Sequence, residues 1–439
     1  MAMTQALALV GSLSVLAVAG AAPAQGDTEK GQWGRFRGPN GTGVSAAATL
    51  PATWTDKDYN WTVRLPGAGH SSPVVFDGRI FLTCGDRHTA RRSVFCLDAR
   101  DGRTLWREDY PSKAHKMHRD NSYGSATAAV DADGVVLTWT TPEQVVLLAL
   151  DRDGKDVWRR DLGPFVGLHG SGTSPIIVGD LVVLANDQED LNVYGYLPKK
   201  MIGKPGKSFL IAVDRSTGTT RWQVPRRTSL AAYSVPCLRR RPDGPPELIF
   251  TSTAHGITAV DAATGKLNWE VPKVFPDRCV GSPICAGGLV IASYGRGSKG
   301  SRLVAVRPGA KNDNVEAKIV WDMTRKVPLV PTPLAIDGRL FCWSDDGTLT
   351  CLAVASGKQI WQHRLGASFF SSPVCVNGRL YCISRKGEVF VVAAAEQFKL
   401  LGRVKLAEPS FATPAVCNGV MYLRTRSRLF SLGGKHLRR

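Results

Sequence analysis

Residues 72–106 open with Ser72-Pro73-Val74-Val75-Phe76-Asp77-Gly78-Arg79-Ile80-Phe81 and continue through Val94-Phe95-Cys96-Leu97-Asp98 to Gly102 and Trp106. The stretch reads as a short apolar run, an Asp-Gly turn, a second run, a third run ending at Asp, and a fourth segment carrying a late Trp. Asp-Gly between apolar runs is a strong short-range hairpin signal, so the unit is four antiparallel strands.

The pattern recurs. Further copies begin at Ala126-Thr127, Ser174-Pro175, Val235-Pro236, Ser282-Pro283, Thr332-Pro333, Ser372-Pro373 and Thr413-Pro414, which with the first makes eight starts. One unit cannot bury both of its faces, so the copies must stack. Four-stranded units stacked around an axis are propeller blades. The eighth copy stops after three strands near Leu432, and Tyr59-Asn60-Trp61-Thr62-Val63-Arg64-Leu65 supplies the missing fourth. The fold class expected is therefore all-β: an eight-bladed β-propeller of four-stranded antiparallel blades, its ring closed by the N-terminal strand. Trp61, Trp106, Trp158, Trp222, Trp269, Trp321 and Trp361 share one register, with Leu401 where the seventh blade should carry its Trp. A large aromatic on each outer strand packs between blades, its N–H bonded to a neighbouring backbone. The recurrent Gly residues suit turns with positive φ.

The 439 residues divide into a signal peptide (1–24), a lead-in segment (25–58), the propeller (59–433) and a basic tail (434–439). The first 24 residues are uncharged, with an apolar run from Leu7 to Gly20 and the small-x-small sequence Ala22-Pro23-Ala24 before the expected cut. They lack the usual basic start, but the run is short for a membrane span. A periplasmic or secreted location is expected. The net charge of +19, densest at Arg239-Arg240-Arg241 and from Arg424 to Arg439, favours anionic partners. With export, these are an envelope protein or an anionic envelope polymer rather than nucleic acid; the charge also permits peripheral membrane contact, and a monomer is expected.

These repeats, with the opening Trp33-Gly34-Arg35-Phe36-Arg37-Gly38-Pro39-Asn40-Gly41-Thr42-Gly43, resemble the quinoprotein-like (pyrroloquinoline-quinone-like, PQQ-like) β-propeller repeat family over about residues 60–433. That group includes the BamB-like scaffold of outer-membrane assembly and quinone-dependent dehydrogenases, so the resemblance implies the fold far more than an activity. The dehydrogenase branch implies an adjacent Cys pair over the quinone, a Trp beneath it, Ca²⁺ ligands and an Asp base. This chain has ten Cys but no adjacent pair, and no Cys-x-x-Cys-His for haem. No cofactor is expected, PQQ with calcium being the alternative, and no catalytic residue is assigned. Cys342 and Cys382 share a second-strand position and Cys285 and Cys375 a first-strand position, as small buried residues do. A two-residue Asp346-Gly347 turn would set Cys342 opposite Cys351, a candidate disulfide.

Candidate ligand-binding residues come from position. First strands line the central channel, so residues just before them face its mouth; these are His70, Asn121, Tyr123, His169, Tyr233 and Arg278, with Phe370 beside them. Packing makes no demand for such side chains there. His115 and His118 have metal-like spacing but no third ligand, and Asp187-Gln188-Glu189-Asp190 is an acidic loop without a cation-site pattern. The expectation is a non-catalytic envelope scaffold binding through this mouth, open blade edges and loops. The alternative is a quinone- or metal-dependent oxidoreductase with its site in the channel.

Overall fold

The computed structural model describes residues 32–47, 50–190, 206–228, 230–242, 244–296, 300–309 and 316–434. The proposed signal peptide and all but the first residue of the basic tail lie outside them.

Eight antiparallel sheets follow one another along the chain. Blade 1 is Val74–Phe76, Arg79–Gly85, Arg92–Asp98 and Thr104–Tyr110, and blades 2 to 7 repeat that order through Leu400–Lys405. Blade 8 is Ala415–Cys417, Val420–Arg424 and Arg428–Gly433, completed by Tyr59–Arg64 in antiparallel register with Thr62 opposite Phe430. The ring is closed by the N-terminal strand, as the sequence indicates. Among the described residues no helix is long and apolar enough to cross a membrane.

Second and third strands are mostly buried and outer strands are largely exposed, so the apolar layers lie between blades. The recurrent Trp residues join those layers. Six of them donate Nε1–H to a backbone oxygen of the next blade at 2.8–3.2 Å: Trp61 to Ala99, Trp106 to Arg152, Trp158 to Arg215, Trp222 to Ala262, Trp321 to Val354 and Trp361 to Ala395. Trp269 instead donates to its own blade's Glu247 at 2.9 Å. A glycine of the next blade lies flat under the ring in five cases; at Gly265 (φ 71°) an added Cβ would come within 2.7 Å of Trp222. In every blade the pairing of the outer strand slips by one residue just before the Trp position, a β-bulge. That register corrects one sequence expectation. Gly402, not Leu401, stands where blade 7 should carry its Trp, opposite Val391. Ala52 fills the space, its carbonyl oxygen 2.1 Å from where a Gly402 Cβ would be.

A second ring of bonds runs around the axis. The backbone N–H of Ser72 donates to Thr127 Oγ1, Thr127 to Ser174, Val235 to Ser282, Ser282 to Thr332, Thr332 to Ser372, Ser372 to Thr413 and Thr413 back to Ser72, at 2.9–3.2 Å. The hydroxyl at the start of each repeat but the fourth, followed by Pro in all of these except Thr127, is thus an acceptor for the blade before it. Val235, which has no hydroxyl, leaves the one gap.

The Cys342–Cys351 pairing is overturned. Ser344 N–H bonds Thr348 O at 2.8 Å around the three-residue loop Asp345-Asp346-Gly347, with Gly347 left-handed at φ 84°. The extra loop residue slips the register by one, setting Cys342 opposite Thr350 and Cys351 opposite Phe341. A one-residue slip moves a side chain to the other face, and the two thiols lie in different inter-blade layers.

Candidate functional site

The lead-in segment enters the channel. Trp33 exchanges backbone bonds with Val75 of blade 1, Gly34 O accepts from Val130 N of blade 2, the Asn40 amide clamps the Leu238 backbone of blade 4, and Val44–Ser45 adds a parallel strand to blade 7. These contacts reach blades on opposite sides of the ring along their first strands. Residues 33–45 therefore plug the channel at that level, and Arg37 within them has no exposed surface. The candidate residues for the channel mouth lie in the loops that lead into first strands, close to the loops joining second to third strands.

Three sectors make up this mouth. Where blades 7, 8 and 1 meet, the His70 ring lies 4.7 Å from Phe411, and Phe411 5.1 Å from Phe370. The Arg385 guanidinium caps both phenylalanines, 4.2 Å from Phe370 and 5.1 Å from Phe411, and bonds Asp120 at 2.9 Å. Burial, reinforced by the charges of Arg424, Arg426 and Arg87, pushes the His70 pKa down to about 3, so this imidazole is neutral. Arg87 and Arg426 are exposed.

Across blades 1 to 3 runs the loop 111–123. The Asn121 amide donates to His169 O (2.7 Å) and Ser171 O (3.1 Å) while its oxygen accepts from Ser122 N and Ser125 Oγ. The His118 and His169 rings are 4.8 Å apart. Tyr123 Oη donates to His115 O at 2.7 Å and accepts from His115 N at 2.9 Å, folding the loop back on itself. With Asp120 on Arg385, this loop reaches from blade 3 to blade 7.

Between blades 3 and 5 the residues are inward. Arg278, 6% exposed, forms an ion pair with Glu189, whose other oxygen accepts from Leu168 N at 2.8 Å. Packing does require a cation here, contrary to the expectation from position alone, because residues 187–189 just after the second strand are buried and bring in a carboxylate. Tyr233, half-buried, has its backbone N–H on Cys279 O at 2.9 Å. Asp187 is buried behind them, and desolvation raises its pKa to about 6.

The structure thus brings His70 and Phe370 together through Phe411, Asn121 with His169, and Tyr233 beside Arg278. It does not gather all six candidates around one point. Phe411 and Arg385 escaped the sequence reading, which took Glu189 only as part of an acidic loop and not as the partner of Arg278. Both Arg385 and Glu189 follow second strands, where the position rule for residues before first strands does not reach. Among the described residues no three His, Cys, Asp or Glu come together as a metal-ligand set, and the ten cysteines are free thiols. No two of these cysteines are adjacent in the chain.

A family model described as "Outer membrane protein assembly factor BamB" (PQQ_2) matches residues 30–200, 90–329 and 313–400. No curated protein matches the chain. Among solved structures, BamB from Moraxella catarrhalis aligns at 14% identity and TM-score 0.58 over 85% of this chain and 98% of that one. The quinohemoprotein alcohol dehydrogenase from Comamonas testosteroni aligns at 13% identity and TM-score 0.59 over 92% and 80%. The computationally designed Ika8 protein aligns at 10% identity and TM-score 0.55 over 86% and 99%. At such identities these structures share the fold and speak only to it.

Proposed function

Since this chain belongs to the PQQ_2 family described as outer membrane protein assembly factor BamB, we propose that it is a non-catalytic scaffold of the cell envelope, exported to the periplasm, that binds a protein partner at the channel mouth. The observation that carries this reading is the patch of His70, Phe370, Phe411 and Arg385, half-buried and flanked by exposed Arg87 and Arg426. Aromatic rings and arginines on a packed surface are the residue types that dominate binding energy in protein interfaces. The outer blade edges fit this role less well. Of the exposed apolar residues on them, Leu105, Val157, Val320 and Ile360 are the bulged residues of their strands, while Leu267, Ile319 and Leu400 lie beside a bulge. Bulges at an edge disfavour pairing with another chain.

A photo-cross-linking residue at Phe411, introduced in cells, should yield a discrete adduct with one envelope protein, and Arg385→Ala should weaken that contact at least 10-fold with a clean partner. Adducts with no defined partner, or capture indifferent to Arg385→Ala, would overturn the reading. The oxidoreductase alternative has its own check: protein mixed with pyrroloquinoline quinone and Ca²⁺ should fail to retain quinone stoichiometrically after gel filtration.

A further inference from the structure

Between blades 1 and 2, under the loop 111–123, lies a pocket lined by Arg92, His115, Asn121, Tyr123, Trp139 and Ser171 among others. Arg92, first residue of the third strand of blade 1, is 4% exposed. Its guanidinium sits 5.3 Å from the centre of the Tyr123 ring and 5.8 Å from that of Trp139. Nη1 donates to Ser112 Oγ (2.8 Å) and Ala90 O (3.4 Å), and Nη2 to Thr140 O (2.8 Å). The fork has five N–H groups, so three are used, all on neutral acceptors, and Nε is buried without a protein partner.

The contrast with the rest of blade 1 is sharp. Arg79, Arg91, Arg100, Arg103 and Arg107 each reach a carboxylate. The most buried arginine of the blade has none. Burial pulls its pKa down to about 10, with only the Tyr123 hydroxyl opposing. Inside a protein an uncompensated charge is costly and is normally paired. His115, in the same wall, has its pKa lowered by burial and by Arg92, and its Nδ1–H is spent on Lys113 O at 3.1 Å, so the neutral ring lines the pocket without adding charge or a free donor.

We infer that this pocket binds a carboxylate, which pairs with Arg92 between the rings of Tyr123 and Trp139. Arg and carboxylate are geometrically matched and form charge-assisted bonds stronger than neutral ones. The carboxylate belongs either to a small free acid or to the end of a polypeptide. The inference stands apart from the scaffold reading, whose patch lies at blades 7, 8 and 1.

The test titrates the full propeller with sodium acetate and sodium benzoate against sodium chloride at equal ionic strength, following heat of binding and melting temperature. Carboxylate should bind with a Kd of about a millimolar and raise the melting temperature, with chloride doing neither. Arg92→Gln should weaken binding at least 10-fold, and Arg92→Lys should fall between, keeping the charge without the fork. A short peptide with a free C-terminus and its amidated form decide the source. Tighter binding of the acid peptide than of acetate, lost on amidation, assigns the site to a polypeptide end; equal binding assigns it to a free acid. If Arg92→Gln does not fold, the exposed-loop double variant His115→Ala/Met117→Ala must weaken binding instead. Absence of carboxylate-specific binding to the parent protein, or undiminished binding in the folded variants, overturns the inference.

Discussion

Trp222 shows what one side chain contributes to this ring. Its indole is 7% exposed, donates to Ala262 O at 3.1 Å and rests on Gly265. Trp222→Ala should cost roughly 3–5 kcal/mol, the usual result of emptying a buried aromatic site, read as a shift in urea midpoint. Thr332 is a polar counterpart, accepting from Ser282 N at 3.0 Å at the channel wall. Thr332→Val keeps the shape and strands that N–H, so a loss of about 1–3 kcal/mol is expected; no loss would mean the hydroxyl ring is incidental. His70 adds a pH dependence. Its unfolded pKa is about 6.5 and its folded one about 3. A base depressed in this way stabilises the fold fully above 6.5, and that contribution drains away as pH falls towards 3. Between pH 7 and pH 4, His70→Asn should therefore lose less stability than the parent, by roughly 1–3 kcal/mol. Urea midpoints at the two pH values give the comparison, and equal losses would mean that the imidazole protonates freely in the fold. Among the thiols, Cys237 and Cys285 on neighbouring first strands are 3.7 Å apart at sulfur. Oxidised glutathione should remove this pair from a thiol titration before any other.

Strands and loops set how much of this was legible in advance. The four-strand unit could be read from Ser/Thr-Pro, Asp-Gly and Trp because each signal is local to its strand. The closing strand was legible for the same reason: Trp61 carries the outer-strand mark in a stretch with no other strand of its blade nearby. Non-local choices were not. Nothing in Glu189 announces Arg278, 89 residues away, and nothing in Trp33-Gly34-Arg35-Phe36 says that the segment crosses the channel. The Cys342–Cys351 pairing fails by one residue of loop length, since Ser344 and Thr348 close the hairpin around three residues and not two. The lead-in and closing strand belong to one continuous segment, so removing residues 25–64 should take away the plug and the edge of blade 8 together. The truncated protein should unfold over a broader, lower urea range, with a smaller m-value. A transition as steep as the parent's would mean that the other blades hold the ring without them.

Taken as a molecule, the propeller is one stack of inter-blade layers whose first and last members are joined by a strand from the opposite end of the chain. The family and the fold rest on this repeated pattern; the mouth does not, because its side chains sit where the repeat is interrupted. That is why the partners of these side chains, Arg385 for Phe370 and Glu189 for Arg278, could not be named from the repeat. The closure has a further consequence. Asn60 donates to Gly433 O at 2.8 Å across 373 residues of chain. In a chain made from its N-terminus the strand 59–64 comes first and its partner last, so the seam is the final contact to form. Until then that strand can pair equally well with the waiting edge of a second molecule. Such an exchange costs little, because every bond of the seam is remade in the partner. Refolding at high protein concentration should accordingly yield strand-exchanged dimers and longer open assemblies that dilute refolding does not.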